Sequence, residues 1–253
     1  KTVLLELNGK TLTNNAGSHT ITVTLGSNLT VQDSVGGGLV DNVSHARAAI
    51  LNNGTATLNG GKYDRSKENG QNSENAGGNS YYAIVNHGTM TINDGVTVAQ
   101  NGHFSSMIEN GYQNYNSGNA STGYVLGTNA ANPSLTINGG SFRGAKCGVK
   151  QMKGKLKING GSLKGEDGLT LAGNTKTSVR IAGGSLQGTH NGCTASGGKL
   201  TISGGSFAGE KSCGVAGFSG KYGTDIIISG GTFNGYDALA VQGDLNLTVT
   251  GGS

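Results

Sequence analysis

One octet constrains this chain more than any other feature: apolar, polar, apolar, polar, two glycines, a small polar residue and a large apolar one. It reads Leu135-Thr-Ile-Asn-Gly-Gly-Ser-Phe142, Leu156-Lys-Ile-Asn-Gly-Gly-Ser-Leu163, Val179-Arg-Ile-Ala-Gly-Gly-Ser-Leu186, Leu200-Thr-Ile-Ser-Gly-Gly-Ser-Phe207 and Ile226-Ile-Ile-Ser-Gly-Gly-Thr-Phe233. Starts at 135, 156, 179, 200, 226 and 247 are separated by 21, 23, 21, 26 and 21 residues. Upstream, Leu5-Glu-Leu-Asn-Gly-Lys-Thr-Leu12, Leu29-Thr-Val-Gln, Ala56-Thr-Leu-Asn-Gly-Gly-Lys-Tyr63 and Met90-Thr-Ile-Asn-Asp-Gly follow the same template with longer spacing, which makes ten strand starts. The alternation marks a strand with one buried face, and the glycines supply the positive φ at which the chain turns a corner. Three such strands and three turns close a coil, so the expected fold is an all-β parallel solenoid of about ten coils, with about 21 to 23 residues in each regular coil.

Composition agrees with this reading and removes the alternatives. Glycine supplies 48 of 253 residues and proline one. Without a Gly-X-Y period this is not collagen, and the apolar residues at fixed intervals argue against disorder. One β-helix domain is expected over 1–253. A formal charge of +4 and the absence of a Lys/Arg block speak against nucleic acid as a partner. No apolar run is long enough to suggest membrane insertion. The chain starts at Lys1 and stops at Leu247-Thr-Val-Thr-Gly-Gly-Ser253, the opening of another repeat. It therefore reads as a segment of a longer protein whose uncovered coils would favour end-to-end self-association.

Stacked coils place like residues in columns. One column is Leu12, Tyr63, Phe142, Leu163, Leu186, Phe207 and Phe233, an apolar core. Another is Asn8, Gln32, Asn59, Asn93, Asn138, Asn159, Ala182, Ser203, Ser229 and Thr250. That column is either a polar binding stripe or a turn ladder in which Asn accepts left-handed backbone and amides bond along the stack. Cys147, Cys193 and Cys213 are placed in one column with Leu169 and Leu239, as reduced, buried thiols; a Cys193–Cys213 bridge is the alternative.

Function is expected where the repeat is broken. Starts at 56, 90 and 135 are 34 and 45 residues apart, and aligning Tyr82 and Tyr124 with Leu169 sends loop insertions 64–80 and 99–123 from one corner. Tyr81, Tyr82, Tyr112, Tyr115 and Tyr124 gather there and could stack on sugar rings, or simply cover the core. A cationic stretch puts Lys157 beside Arg180 in one outward column and Arg143 beside Lys164 in another, which is either an anion-binding face or an ordinary solvated one. The carboxylates Asp94, Glu109, Asp167, Asp225 and Asp237 are spread over different coils, and no residue is singled out as catalytic or as a metal ligand.

The LTINGGSF-type units and the opening LLELNGKTLTNNAGSHTITV resemble the Gly-rich repeats of bacterial surface proteins built on a right-handed parallel β-helix, the pectate-lyase-like superfamily. The segments GEDGLTLAG, GTHNGCTASGGKLTISGG and GYDALAVQGDLNLTVTGG are similar to a carbohydrate-binding β-helix family. The resemblance implies a secreted or cell-surface, non-catalytic, carbohydrate-binding or adhesin-like protein with a polysaccharide or cell-surface glycan, including an anionic one, as partner. It implies no cofactor, apart from calcium in some members. A polysaccharide lyase or depolymerase and a structural stalk or filament subunit are the alternatives.

Overall fold

The computed structural model describes residues 1–44, 47–68, 81–100, 105–111, 132–173 and 176–253. It is an all-β parallel solenoid; among the described residues the regular elements are strands, apart from a 3-10 turn at Ser66–Glu68. Three faces recur in every coil. The first face is a sheet of ten parallel strands: Thr2–Glu6, Asn28–Gln32, Thr55–Leu58, Thr89–Ile92, Ser134–Ile137, Lys155–Ile158, Ser178–Ile181, Gly198–Ile202, Thr224–Ser229 and Asn246–Gly251. The second and third faces belong to one continuous sheet, because Ser162–Leu171 and Ser185–Ala195 each run across the corner between them. Nine coils are complete, numbered 1 to 9 here from their first-face strands, and Asn246–Gly251 opens a tenth.

The apolar columns form the core. On the second face Leu12, Val40, Tyr63, Val98, Phe142, Leu163, Leu186, Phe207 and Phe233 are in register, which confirms the expected column and fills its gaps with Val40 and Val98. The rings of Phe207 and Phe233 stack with centroids 5.1 Å apart. The two corner glycines have separate tasks. Gly161 adopts φ +90°, whereas a Cβ on Gly160 would lie 2.5 Å from the backbone oxygen of Asn138 in the preceding coil. One glycine turns the chain and the other lets the coils close on each other.

The polar column is an amide ladder. Asn93 donates to Asn59 at 2.7 Å, Asn138 to Asn93 at 2.8 Å and Asn159 to Asn138 at 2.7 Å. Left-handed backbone is not its cause: among the described residues the positive-φ residue other than glycine is Asn8. Asn8 does not belong to the column. Leu5 pairs with Val31, so Glu6 stands beside Gln32, and Asn8-Gly9 forms a tight turn closed by the Lys10 N–H donating to the Leu7 carbonyl at 2.9 Å. A second ladder, unexpected from the sequence, runs inside the shaft: Asn52 donates to Asn86 at 2.7 Å, Asn86 to Asn110 at 2.6 Å and Asn110 to Gln151 at 2.8 Å. All four side chains are fully buried.

Two alignments are corrected. Val149, Leu169, Cys193, Val215 and Leu239 share one inward column, so Cys193 alone of the three cysteines stands among the leucines. Cys147 is in register with Asp167 and Cys213 with Asp237, two residues earlier. The reason lies in Gly148 and Gly214, which follow these cysteines at the corner: a Cβ on Gly148 would meet Leu163 at 2.9 Å, so the strand rolls over at that point and simple alternation fails. All three thiols are free and buried. In the long fourth coil, Ser105–Asn110 is the third-face strand, with Ile108 beside Val149 and Ile84. Ile108 therefore occupies the Leu169 column in this coil, while Tyr124, expected there, lies outside the described residues. Residues 105–110, inside the span expected as one insertion, belong to the shaft, and residues 112–131 follow the third-face strand rather than precede it.

Candidate binding groove along the solenoid

The bend between the second and third faces carries a short polar run in every later coil: Gly144-Ala-Lys-Cys147, Gly165-Glu-Asp167, Gly188-Thr-His-Asn191, Gly209-Glu-Lys-Ser-Cys213 and Gly235-Tyr-Asp237. The coils differ in length here. Gly165 to Asp167 in one strand faces Gly188 to Asn191 in the next, a register shift that leaves an extra residue at the bend. This irregularity opens the wall of the shaft.

Three clefts lie along this bend and are together termed the furrow. The largest, about 650 Å³, is walled by Arg143, Lys164, Glu166, Gln187, Thr189 and Glu210. It shares Glu166 with a second cleft of about 360 Å³ that holds Tyr82, Ser106, Cys147, Lys150, Asp167 and Thr170. It shares Glu210 with a third of about 610 Å³ that ends at Asn234 and Tyr236. From Tyr82 in coil 3 to Tyr236 in coil 9 is six coil steps; at about 4.8 Å per step the three clefts are spread over about 29 Å parallel to the axis.

Its electrostatics are uneven. Arg143 and Lys164 are neighbours in register on coils 5 and 6, both exposed, and among the described residues neither has an ion-pair partner. On the floor, the Glu166 carboxylate bridges Lys146 and His190, with His190 Nδ1 3.3 Å away. Asp167 accepts from the Asn191 backbone and side chain at 3.2 and 3.1 Å and from Thr170 Oγ1 at 3.4 Å. The central carboxylates are thus already engaged by protein donors. Cys147 donates to Ser106 Oγ at 3.2 Å, and burial pushes its thiol up to about 11, so it is not a nucleophile at neutral pH.

On the third-face strand of coil 4, lining none of the three clefts, is a buried acid. Glu109, fully buried, is in register with Lys150 of the next coil, and His87 Nε2 is 3.9 Å from its carboxyl. Neither oxygen of Glu109 and neither ring nitrogen of His87 has a hydrogen-bond partner. Burial pushes the Glu109 carboxyl up to about 8, against the pull of Lys150, and holds His87 down to about 4. Both groups are therefore neutral at pH 7.

The residues expected to form a site divide into three sets. Arg143, Lys164 and Tyr82 line the furrow. Lys157 and Arg180 are in register as expected, but on the first face, beyond the Asn-Gly-Gly corner, and line none of the three clefts. Tyr81 lies in the third-face strand of coil 3, while Tyr112, Tyr115 and Tyr124 lie outside the described residues. Lys146, Glu166, His190, Asp167 and Tyr236 were missed; their signal was the polar run after each second-face strand. Among the described residues no group of three or more His, Cys, Asp or Glu is placed to hold a metal ion.

No protein-family model, no curated protein and no solved structure matches this chain. What is established is the parallel β-solenoid and its furrow.

Proposed function

We propose that this chain is a non-catalytic, carbohydrate-binding or adhesin-like β-helix of an extracellular bacterial protein, akin to the pectate-lyase-like superfamily. One observation carries this reading. Three open clefts, spread over about 29 Å parallel to the axis and each sharing a lining residue with the next, carry amide, hydroxyl and cationic side chains on their walls. A long, shallow, polar channel suits an extended polysaccharide better than a compact metabolite, which needs an enclosed apolar pocket. The engagement of Glu166 and Asp167 by protein donors supports binding rather than turnover, since a hydrolase requires one carboxyl able to give up or take a proton. A secreted or cell-surface location belongs to the same reading.

The test is retention of the folded protein on immobilised neutral and acidic polysaccharides, with the polymers recovered and sized afterwards. Binding without shortening of the polymer supports the reading. Shortening, or new unsaturated uronate absorbance, would instead make the protein a depolymerase. Absence of binding across the panel would favour a stalk.

A further inference from the structure

We infer that the first face of the shaft is a docking surface for a bilayer of acidic phospholipids, on which the protein lies without entering the membrane. This goes beyond the carbohydrate reading and does not depend on it, because the strands of that face line none of the three clefts.

Four cations stand together there, on coils 6 to 8. Lys157 is in register with Arg180, Lys155 precedes Lys157 by two residues on the same strand, and Lys155 shares its column with Ser178 and Lys199. All four side chains are exposed, and among the described residues none has a hydrogen-bond or ion-pair partner. Two residues along a strand span about 6.7 Å and one coil step about 4.8 Å, so Lys157 has both Lys155 and Arg180 within the screening length of about 8 Å at physiological salt. Like charges placed side by side on a sheet repel. Lys199 alone has a carboxylate beside it in the next coil, Asp225, which also accepts from Asn246 at 2.6 Å. The other three are left for a partner to neutralise.

The shape of the surface names the partner. The cations spread both along the strands and along the axis, on an open ten-stranded sheet rather than in a groove. A single anionic polymer follows one line of charge, whereas acidic headgroups present charge over a plane. Such a plane also requires that no acid lie beneath it. Over coils 2 to 8 each first-face strand and its corner present three outward side chains; apart from the four cations these are Thr, Ser, Asn, Gln and Ala182, without a carboxylate. That strip is six coil steps long, about 29 Å. Acids return at its two edges, Glu6 on coil 1 and Asp225 on coil 9. The furrow, walled by Glu166, Asp167 and Glu210, lacks this property. About four basic residues on one surface are enough to hold a protein segment at an acidic bilayer. Because each coil has three faces, docking the first leaves the bend between the second and third, and the furrow with it, turned away from the membrane and open to a polysaccharide.

The experiment is co-sedimentation of the whole chain with vesicles of phosphatidylcholine, alone or with about one third phosphatidylglycerol, at physiological salt and at about 0.5 M. The native chain is expected on the mixed vesicles and not on the neutral ones, and to be released at the higher salt. Lys157→Gln with Arg180→Gln is expected to bind at least tenfold more weakly, since each basic residue at an acidic bilayer contributes about fivefold. Arg143→Gln with Lys164→Gln, which removes the same charge from the furrow, is expected to stay within about twofold of the native chain. Relief of the repulsion leaves the urea midpoint of the first-face variant equal to or above the native one, so its weaker binding is not a loss of fold; a lower midpoint overturns the inference. So does absence of binding to the mixed vesicles, equal binding to the neutral ones, or an equal loss in the two variants. A soluble polyuronate whose binding falls with the first-face variant and not with the furrow variant would assign the face to a polymer and overturn it too.

Discussion

Asn86 and Asn110, on neighbouring coils, share a side-chain hydrogen bond of 2.6 Å in the dry interior of the shaft, within a ladder that continues to Asn52 and Gln151. Asn86 and Asn110 each have an amide neighbour above and below, so truncating either breaks two ladder bonds and leaves the buried oxygen of the next amide, Asn110 or Gln151, without its ladder donor. We expect Asn86→Ala or Asn110→Ala to lose about 2 to 3 kcal/mol in denaturant unfolding, while Asn138→Ala, in the exposed ladder, loses under about 1 kcal/mol. Equal losses at the two ladders would contradict the assignment of the inner one as a structural element.

The division of labour between the corner glycines is testable at one corner. Gly161→Ala must hold a side chain at φ +90°, a strain of about 1 to 2 kcal/mol. Gly160→Ala drives a methyl group onto the Asn138 carbonyl of the preceding coil and must push two coils apart, so it is expected to be the more damaging of the two. Thermal unfolding of both variants reads the order directly.

The cysteine placement predicts thiol behaviour. Cys193 lies in the apolar column with its pKa pushed up by burial, and Cys147 is raised to about 11. A thiol reagent at pH 8 should find almost no reactive sulfur in the folded protein and three after unfolding without reductant. A Cys193–Cys213 bridge would leave one. Cys193→Val should be nearly neutral because Val149 and Val215 occupy the same column.

Opposed titrations shape the pH dependence. Glu109 is held at about 8 in the fold, above its ordinary 4.5, so the folded state binds the extra proton between these values and stability falls as pH rises through that window. His87 is held at about 4, below 6.5, so the unfolded state binds the extra proton and stability rises with pH from 4 to 6.5. His19, held down to about 4 chiefly by burial, adds a second rising slope over the same window, so one rise remains after Glu109 and His87 cancel, and stability climbs to a maximum near pH 6.5 and falls above it. Glu6, lowered to about 2 by donors from Ser34, Gln32 and Asn8, adds stability that is lost as pH falls from 4.5 towards 2. Midpoints of urea unfolding from pH 3 to 9 measure this, and Glu109→Gln should abolish the alkaline fall and steepen the rise between 4.5 and 6.5 that Glu109 opposes.

The shaft was legible in the sequence because each coil repeats the same physical requirement. Ile137, Ile158, Ile181 and Ile202 must all face one narrow core, and the glycines after them must all turn the same corner. The errors arose where that requirement lapses. Gly148 and Gly214 let the strand roll, so the count from the corner misplaced Cys147 and Cys213. In the long fourth coil Ser106-Met-Ile-Glu-Asn110 and Tyr124-Val-Leu126 have similar alternation, so spacing alone does not single out the shaft strand at Ser105–Asn110. The furrow was half visible. The Arg143 and Lys164 column was evident from spacing, but the shared bend of Lys146, Glu166, His190 and Tyr236 depends on coil-to-coil differences in length that no single repeat displays.

The central claim is that the furrow, and not the cationic first face, is where a polysaccharide binds. Affinity electrophoresis through gels containing an acidic polysaccharide compares the native chain, Arg143→Ala with Lys164→Ala, and Lys157→Ala with Arg180→Ala. Each double variant removes two positive charges, so a nonspecific effect would be the same in both. The account predicts about a tenfold loss of affinity for the Arg143 and Lys164 pair, about 1.4 kcal/mol, and little change for the Lys157 and Arg180 pair. Equal losses, or a larger loss on the first face, would contradict it.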